Sequence, residues 1–212
     1  YHTAVPFARG LRGLILQDVP RLAVEGGADG LQGGEADGAD LPGLQLPPHA
    51  SDENLLKVLE LISSSKKPVI YAGGGIISAD AAKELDEFSK YFNIPVANTL
   101  MGIGSVNPLE EKNLYWFGMH GTFAGNSAVL NSDLLLAFGT RFSDRITGAV
   151  SKFAPHAKVV HLDIDFAEQN KNIKVFYGVH SEVKYALKRL LELAKEKKIA
   201  KPDLSAWMEN IN

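Results

Sequence analysis

The sequence predicts a parallel α/β domain of about six strands with helices on both faces. From Ser51 onward, short apolar runs alternate with amphipathic stretches of about 12–18 residues, the pattern of successive βαβ units. Each apolar run stops at glycine or at polar residues, so the strand ends carry chemistry. The chain is 45% hydrophobic and 22% charged, which suits a protein that buries a real core.

The first fifty residues read differently from the rest. "RGLILQDVP" (12–20) reads as a short strand closed by Pro20, and 21–50, rich in Gly, Ala, Asp and Pro, as a linker. The domain is expected over 51–195, with 196–212 as a C-terminal linker. "SDENLLKVLELISSS" opens it with Ser51 or Asp52 as cap and a stripe of Leu55, Leu56, Leu59 and Ile62. "KPVIYAGGG" is a strand running into glycines, and "SADAAKELDEFSKYF" a helix with Ser78 as cap. "IPVAN" (94–98) is a strand and "TLMGIGSVNP" a loop. "TFAGNSAVLNS" is a helix before the strand "DLLLAFG". "AKVVHLDID" and then "KVFYG" complete the strands, and "SEVKYALKRLLELAKEKK" is a final helix whose cationic end suits the helix dipole.

Composition excludes several classes of function. A net charge of −3 gives no reason to expect nucleic acid or an anionic membrane as partner. No apolar run approaches the roughly 20 residues that span a bilayer. With no cysteine, disulfides, thiolate–metal sites and a cysteine nucleophile are absent, which is compatible with a reducing compartment. No metal site and no nucleophile paired with a base are visible.

In parallel sheets the ligand edge lies at the strand C-termini. Gly73, Gly74 and Gly75 follow the first strand, either as an anion cradle at a helix start or as a tight strand-to-helix turn. The second strand ends in Ala97, Asn98 and Thr99, without the acid that a nicotinamide site places there. His120 in "GMHGT" is a candidate catalytic base, metal ligand or neutral hydrogen-bonding group; with no second ligand nearby it makes a poor metal site, and the glycines on both sides better suit a flat ligand approaching the backbone. "GTRFSDR" presents Arg141 and Arg145 around Asp144, either for phosphate or flavin oxygens or as a surface ion pair. Asp163 and Asp165 end "HLDID", where a ribose diol or adenine amino group can be met, or where an aspartate caps a turn. Strung across one edge, these groups meet the needs of an extended dinucleotide better than those of acid–base chemistry.

"KPVIYAGGG", "IPVANTLMGIGS", "GMHGT", "DLLLAFGTRFSDRITG", "SKFAPHAKVVHLDID" and "AEQNKN" occur in the order seen in the acetolactate synthase (acetohydroxyacid synthase) family of thiamine-diphosphate enzymes. The resemblance covers about 66–190 and is to the family's central domain, a Rossmann-like sheet of the DHS-like NAD/FAD-binding type. It implies FAD contacts at Gly73, Gly74, Gly75, Thr99, Leu100, Met101, Gly118, Met119, His120, Gly139, Arg141, Asp144, Arg145, Asp163, Ile164, Ser181 and Glu182, with Arg145 near the substrate channel. Departures are Ser143 for aspartate, Phe166 for proline, Gln169 for isoleucine and "HSEVK" for "GDVK". "GLRGLILQDVP" resembles the family's "GRPGPVLIDVP", the end of the preceding pyrimidine-binding domain, with the arginine displaced to Arg12.

The family condenses two pyruvates, or pyruvate and 2-ketobutyrate, in branched-chain amino-acid synthesis, with an FAD that does no net redox work. Thiamine diphosphate and Mg²⁺ are implied to bind domains outside the matching segment, so no catalytic residue is expected within it and the chain alone is expected to be inactive. The implied partners are those domains, a second copy or a homotetramer, and a regulatory small subunit. The implied location is the cytoplasm, or the plastid in a plant. Two alternatives stand beside this reading. One is a central domain of another thiamine enzyme, oxalyl-CoA decarboxylase-like or pyruvate-decarboxylase-like, holding ADP or nothing. The other is a sirtuin-type deacylase, which the absence of cysteine disfavours.

Overall fold

A computed structural model describes residues 47–148 and 150–211, with the backbone alone for Asp144, Arg145 and Ser151. The expected strand at 12–20 and the linker up to residue 46 lie outside the described residues. Six strands form the sheet: β1 (Pro68–Ala72), β2 (Val96–Asn98), β3 (Asn113–Trp116), β4 (Leu134–Phe138), β5 (Lys158–Asp163) and β6 (Tyr177–His180). The helices are α1 (Asp52–Ser64), α2 (Gly74–Ser78), α3 (Ala82–Phe92), α4 (Phe123–Asn131), α5 (Asp144–Thr147), α6 (Val183–Glu196) and α7 (Ser205–Ile211).

All pairings are parallel, and the spatial order is β3-β2-β1-β4-β5-β6. β1 and β4, the two central strands, are buried at every residue, as strands covered on both faces must be. This explains why "PVIYA" and "LLLAF" read as continuous apolar runs without alternation. Helices α1 and α3 pack on α6, while α4 packs against α7. In α1 the buried residues are Leu55, Val58, Leu59 and Ile62, and Ser51 Oγ accepts from the Asn54 N–H at 3.4 Å. Asp52 and Glu53 sit in that first turn, where the dipole favours negative charge.

Four expectations need correction. Ser78 does not cap α3; it ends α2, which starts directly at Gly74, and Ala81 occupies the N-cap position of α3. The final helix, expected from Ser181, starts at Val183, with Glu182 as its N-cap accepting from the Lys184 and Tyr185 N–H groups at 2.8 and 2.6 Å. The strand expected in "KVFYG" begins only at Tyr177. Residues 196–212 are no mere linker: Leu204 and Trp207 are buried, and the indole N–H donates to the Pro68 carbonyl at 3.1 Å.

Strand β3 has no counterpart among the strands expected from the sequence. It is a four-residue edge strand, its pairing with β2 slips between Val96 and Asn98, and Tyr115 takes φ +59. A bulged residue in the left-handed region destroys the alternation that would announce a strand.

Candidate functional site

Chain connections leave β1 toward β2 and leave β4 toward β5, so the strand order reverses between the parallel neighbours β1 and β4. In open α/β sheets the crevice at such a reversal, outside the strand C-termini, is where ligands bind. Here the two loops touch. The Gly73 N–H donates to the Phe138 carbonyl and the Gly75 N–H to the Gly139 carbonyl, both at 2.9 Å. A Cβ on Gly73 would stand 2.1 Å from the Gly139 oxygen, and one on Gly75 would stand 2.7 Å from the Gly139 Cα.

The glycines therefore exist first for this backbone crossing, which favours the tight-turn reading. With the Gly73 and Gly75 amides engaged and α2 only five residues long, an anion cradle built on them is not formed. Gly139 has φ +57 and a Cβ there would meet the Gly75 Cα at 2.7 Å, so its glycine too is a requirement of the crossing. Gly74 faces the Met101 Cβ.

After β2, Thr99 is buried and its Oγ1 accepts from the Gly102 N–H at 3.0 Å, which folds the following turn. That turn lifts Leu100 and Met101 into solvent, 61% and 74% exposed, beside the glycine loop. After β3, Gly118 takes φ +127 and the Gly121 N–H donates to its carbonyl at 2.9 Å. A Cβ on Gly121 would lie 2.7 Å from the Trp116 oxygen. The two glycines thus make the turn, which presents Met119 and His120 exposed at its tip.

Beyond β4, Thr140 and Phe142 are buried and Arg141 between them is exposed. Two anchored neighbours aim the intervening side chain outward, and the Arg141 guanidinium makes no ion pair or hydrogen bond among the described side chains. Asp144 and Arg145 begin α5, one short turn further on.

At the end of β5, Asp163 is buried: its Oδ1 accepts from the Asp165 N–H at 2.9 Å and its Oδ2 lies 3.6 Å from His161 Nε2. Asp165 in turn caps a short turn through Ala167 N–H at 2.9 Å. Both acids serve as turn caps, and Ile164 between them is exposed. After β6, Ser181 is fully buried and accepts from the Ala50 N–H, while Glu182 is spent on capping α6. Neither projects a free group to the edge, so fifteen of the seventeen expected contacts divide, the side chains of Asp144 and Arg145 lying outside the described ones. Leu100, Met101, Met119, His120, Arg141 and Ile164 face outward, and the glycines, Thr99, Asp163, Ser181 and Glu182 build the frame.

Several residues that shape the edge had no evident signal in the sequence. Asn126 clamps the "GMHG" turn, accepting from the Gly118 N–H at 3.1 Å and donating to its carbonyl at 3.2 Å. Asn98 bridges Ser105 and Asn113 in a buried polar chain at the end of β2, with contacts of 2.8 and 3.2 Å. Above that chain lies a cavity of about 420 Å³, walled by Ile103, Val106, Tyr115 and Trp116, with His120 at its margin. Its size and apolar walls suit a flat ring. On the sheet, burial pushes the Tyr71 phenol well up against a smaller opposing effect of Thr140, so it stays neutral. No group of three or more His, Cys, Asp or Glu able to hold a metal occurs among the described residues. No described helix is long and apolar enough to cross a membrane.

The comparisons with known proteins agree with this architecture. A family model described as "Thiamine pyrophosphate enzyme, central domain" matches residues 55–190. The acetolactate synthase large subunit of Corynebacterium glutamicum is 39% identical over 99% of the chain and 32% of its own length. The chloroplastic acetolactate synthase of Arabidopsis thaliana is 45% identical over 81% of the chain and 26% of its own length. A probable acetolactate synthase large subunit of Methanococcus aeolicus is 40% identical over 74% of the chain and 27% of its own. The chain spans about a third or less of these relatives.

Proposed function

Since the chain belongs to the thiamine pyrophosphate enzyme central-domain family, we propose that it is the FAD-binding central domain of an acetolactate synthase large subunit. The observation that carries the flavin reading is Arg141, held outward between buried Thr140 and Phe142 at the sheet's reversal point. A guanidinium presents a planar fork of donors that suits pyrophosphate or ribityl oxygens. Leu100, Met101, Met119 and His120 would offer the isoalloxazine ring an apolar, partly polarisable bed beside the 420 Å³ cavity. Ile164 would meet the adenosine end, with the remaining Asp163 and Asp165 lone pairs nearby.

The donor set fits such a ligand: the Arg141 cation, without a partner among the described side chains, for the phosphates, apolar groups for the ring, and carboxylate acceptors at the far end. In the complete enzyme, thiamine diphosphate with Mg²⁺ would supply the carbanion chemistry that joins two 2-keto acids, held by domains outside the central one. The central domain's own residues would bind and orient the flavin and shield its ring from water. Copies of the large subunit and a regulatory subunit are the expected partners, in the cytoplasm or a plastid.

The internal engagement of Gly73, Gly75, Asp163 and Glu182 favours a second reading, a central domain that holds ADP or serves as scaffold. Titrating the purified chain with FAD and with ADP separates the two. Saturable flavin binding that ADP displaces only weakly supports the first reading. Binding of ADP without binding of FAD, or of neither, overturns it.

A further inference from the structure

His161 is wholly buried on β5, two residues before Asp163. Its Nε2 lies 2.9 Å from the Thr140 carbonyl oxygen and 3.6 Å from Asp163 Oδ2. A carbonyl only accepts, so Nε2 carries the proton in this contact. The Thr140 carbonyl belongs to the same rigid peptide unit as the Arg141 nitrogen, so its direction sets the direction in which Arg141 leaves the chain. Phe142 closes the arrangement from the other side, edge-on to the imidazole with centroids 5.1 Å apart. One buried ring therefore touches the loop that bears the exposed arginine and the strand that bears the acid.

We propose that His161 is a positioning residue, whose Nε2–H clamps the Thr140 carbonyl and so holds Arg141 at a fixed distance and angle from the Asp163 end of the site. The clamp joins the β4 loop to β5 by a side chain where the backbone ladder stops: the last backbone link is the Gly139 N–H to Leu162 carbonyl at 2.9 Å. From Thr140 onward, His161 replaces the ladder. Its ligand consequence rests on the flavin-binding reading above; its structural consequence does not.

The test compares the chain with His161→Leu, which removes the donor, and His161→Gln, whose amide nitrogen can reach the position of Nε2. Amide hydrogen exchange over residues 139–147 is read without ligand, and FAD affinity by flavin fluorescence. His161→Leu should accelerate exchange over that segment and weaken FAD about tenfold, the loss of one buried hydrogen bond at about 1.4 kcal/mol per decade. His161→Gln should restore both, which a merely space-filling role for the ring would not produce. Should His161→Leu not fold, nitrogen-15 spectra of the unaltered chain decide: a slowly exchanging Nε2 proton on His161 is expected, and a proton on Nδ1 instead overturns the clamp. Wild-type exchange rates in a folded His161→Leu also overturn it. If the unaltered chain binds no FAD, the flavin reading fails while the exchange data still decide the clamp.

Discussion

Gly75 and Gly139 meet backbone to backbone, the N–H of one donating to the carbonyl of the other at 2.9 Å, with no room for a Cβ on either. This contact joins the β1 and β4 loops where the strand order reverses, the edge at which open α/β sheets bind ligands. Gly139→Ala combines a left-handed backbone with a clash. Gly148→Ala shares the left-handed backbone, at φ +54, but its Cβ would meet nothing within 4 Å. Gly148→Ala should cost about 1–2 kcal/mol from the backbone alone, and Gly139→Ala about 1–3 kcal/mol more. Urea unfolding of both variants measures the difference; equal costs would mean that the crossing is not tight.

Asn126 holds both backbone polar groups of Gly118, accepting from its N–H and donating to its carbonyl. Asn126→Ala should lose about 1–3 kcal/mol, two hydrogen bonds at about 0.5–1.5 each. It should also speed amide exchange at Gly121, whose partner is the same Gly118 carbonyl. Exchange unchanged at Gly121 would show that the turn holds its shape without the clamp.

Gly178 leaves its Cβ position to Gln169, whose Oε1 lies 2.1 Å from where that atom would be. Gly178→Ala should therefore displace the Gln169 side-chain amide, at a small cost in stability because the group met is the far end of a flexible side chain. Gln169→Ala should relieve the clash, so the double variant is expected to be more stable than the sum of the single losses predicts. Strict additivity in a double-mutant cycle would contradict the contact.

Arg189 binds Asp52 through two nitrogens, at 2.9 and 2.7 Å, and so ties α6 to α1. The hydrogen bonds from Arg189 hold the Asp52 carboxyl below its ordinary value of 3.8. A depressed folded-state value means that the bridge's contribution is complete above pH 3.8 and is lost as pH falls through the lower value. Asp52→Asn should thus narrow its stability gap from the unaltered chain only in strong acid. A gap that stays constant through that range would show that the bridge contributes nothing. The pair is exposed, so the gap should be small and shrink with salt.

The central strands were legible because burial on both faces leaves uninterrupted apolar runs, as in "PVIYA" and "LLLAF". Strand β3 was not, because Tyr115 breaks the alternation at a bulge held by the Asn113 side chain, which accepts from its N–H at 2.9 Å. Trp207 was unreadable for a different reason: its partner, the Pro68 carbonyl, is 139 residues away, and a single aromatic in a polar segment shows no period. At the site, Arg141 followed from a strand end and His120 from its flanking glycines, whereas Leu100, Met101, Met119 and Ile164 came only from the family resemblance. What the sequence does not reveal is the second occupation of a residue. Asp163, Ser181 and Glu182 stand where ligand contacts were expected, yet Asp163 and Glu182 cap their own turns, and Ser181 accepts from the Ala50 N–H, 131 residues away.

The measurement that bears most directly on the account is a flavin-fluorescence titration of the chain beside Arg141→Ala, with urea unfolding of both. Arg141 is exposed and its guanidinium has no partner among the described side chains, so its removal should leave stability within about 0.5 kcal/mol of the unaltered chain. FAD should bind the unaltered chain saturably. It should bind Arg141→Ala roughly 10- to 150-fold more weakly, the loss of a charge-assisted hydrogen bond of about 1.5–3 kcal/mol. Equal affinities for the two proteins, or no saturable binding to either, would contradict the account.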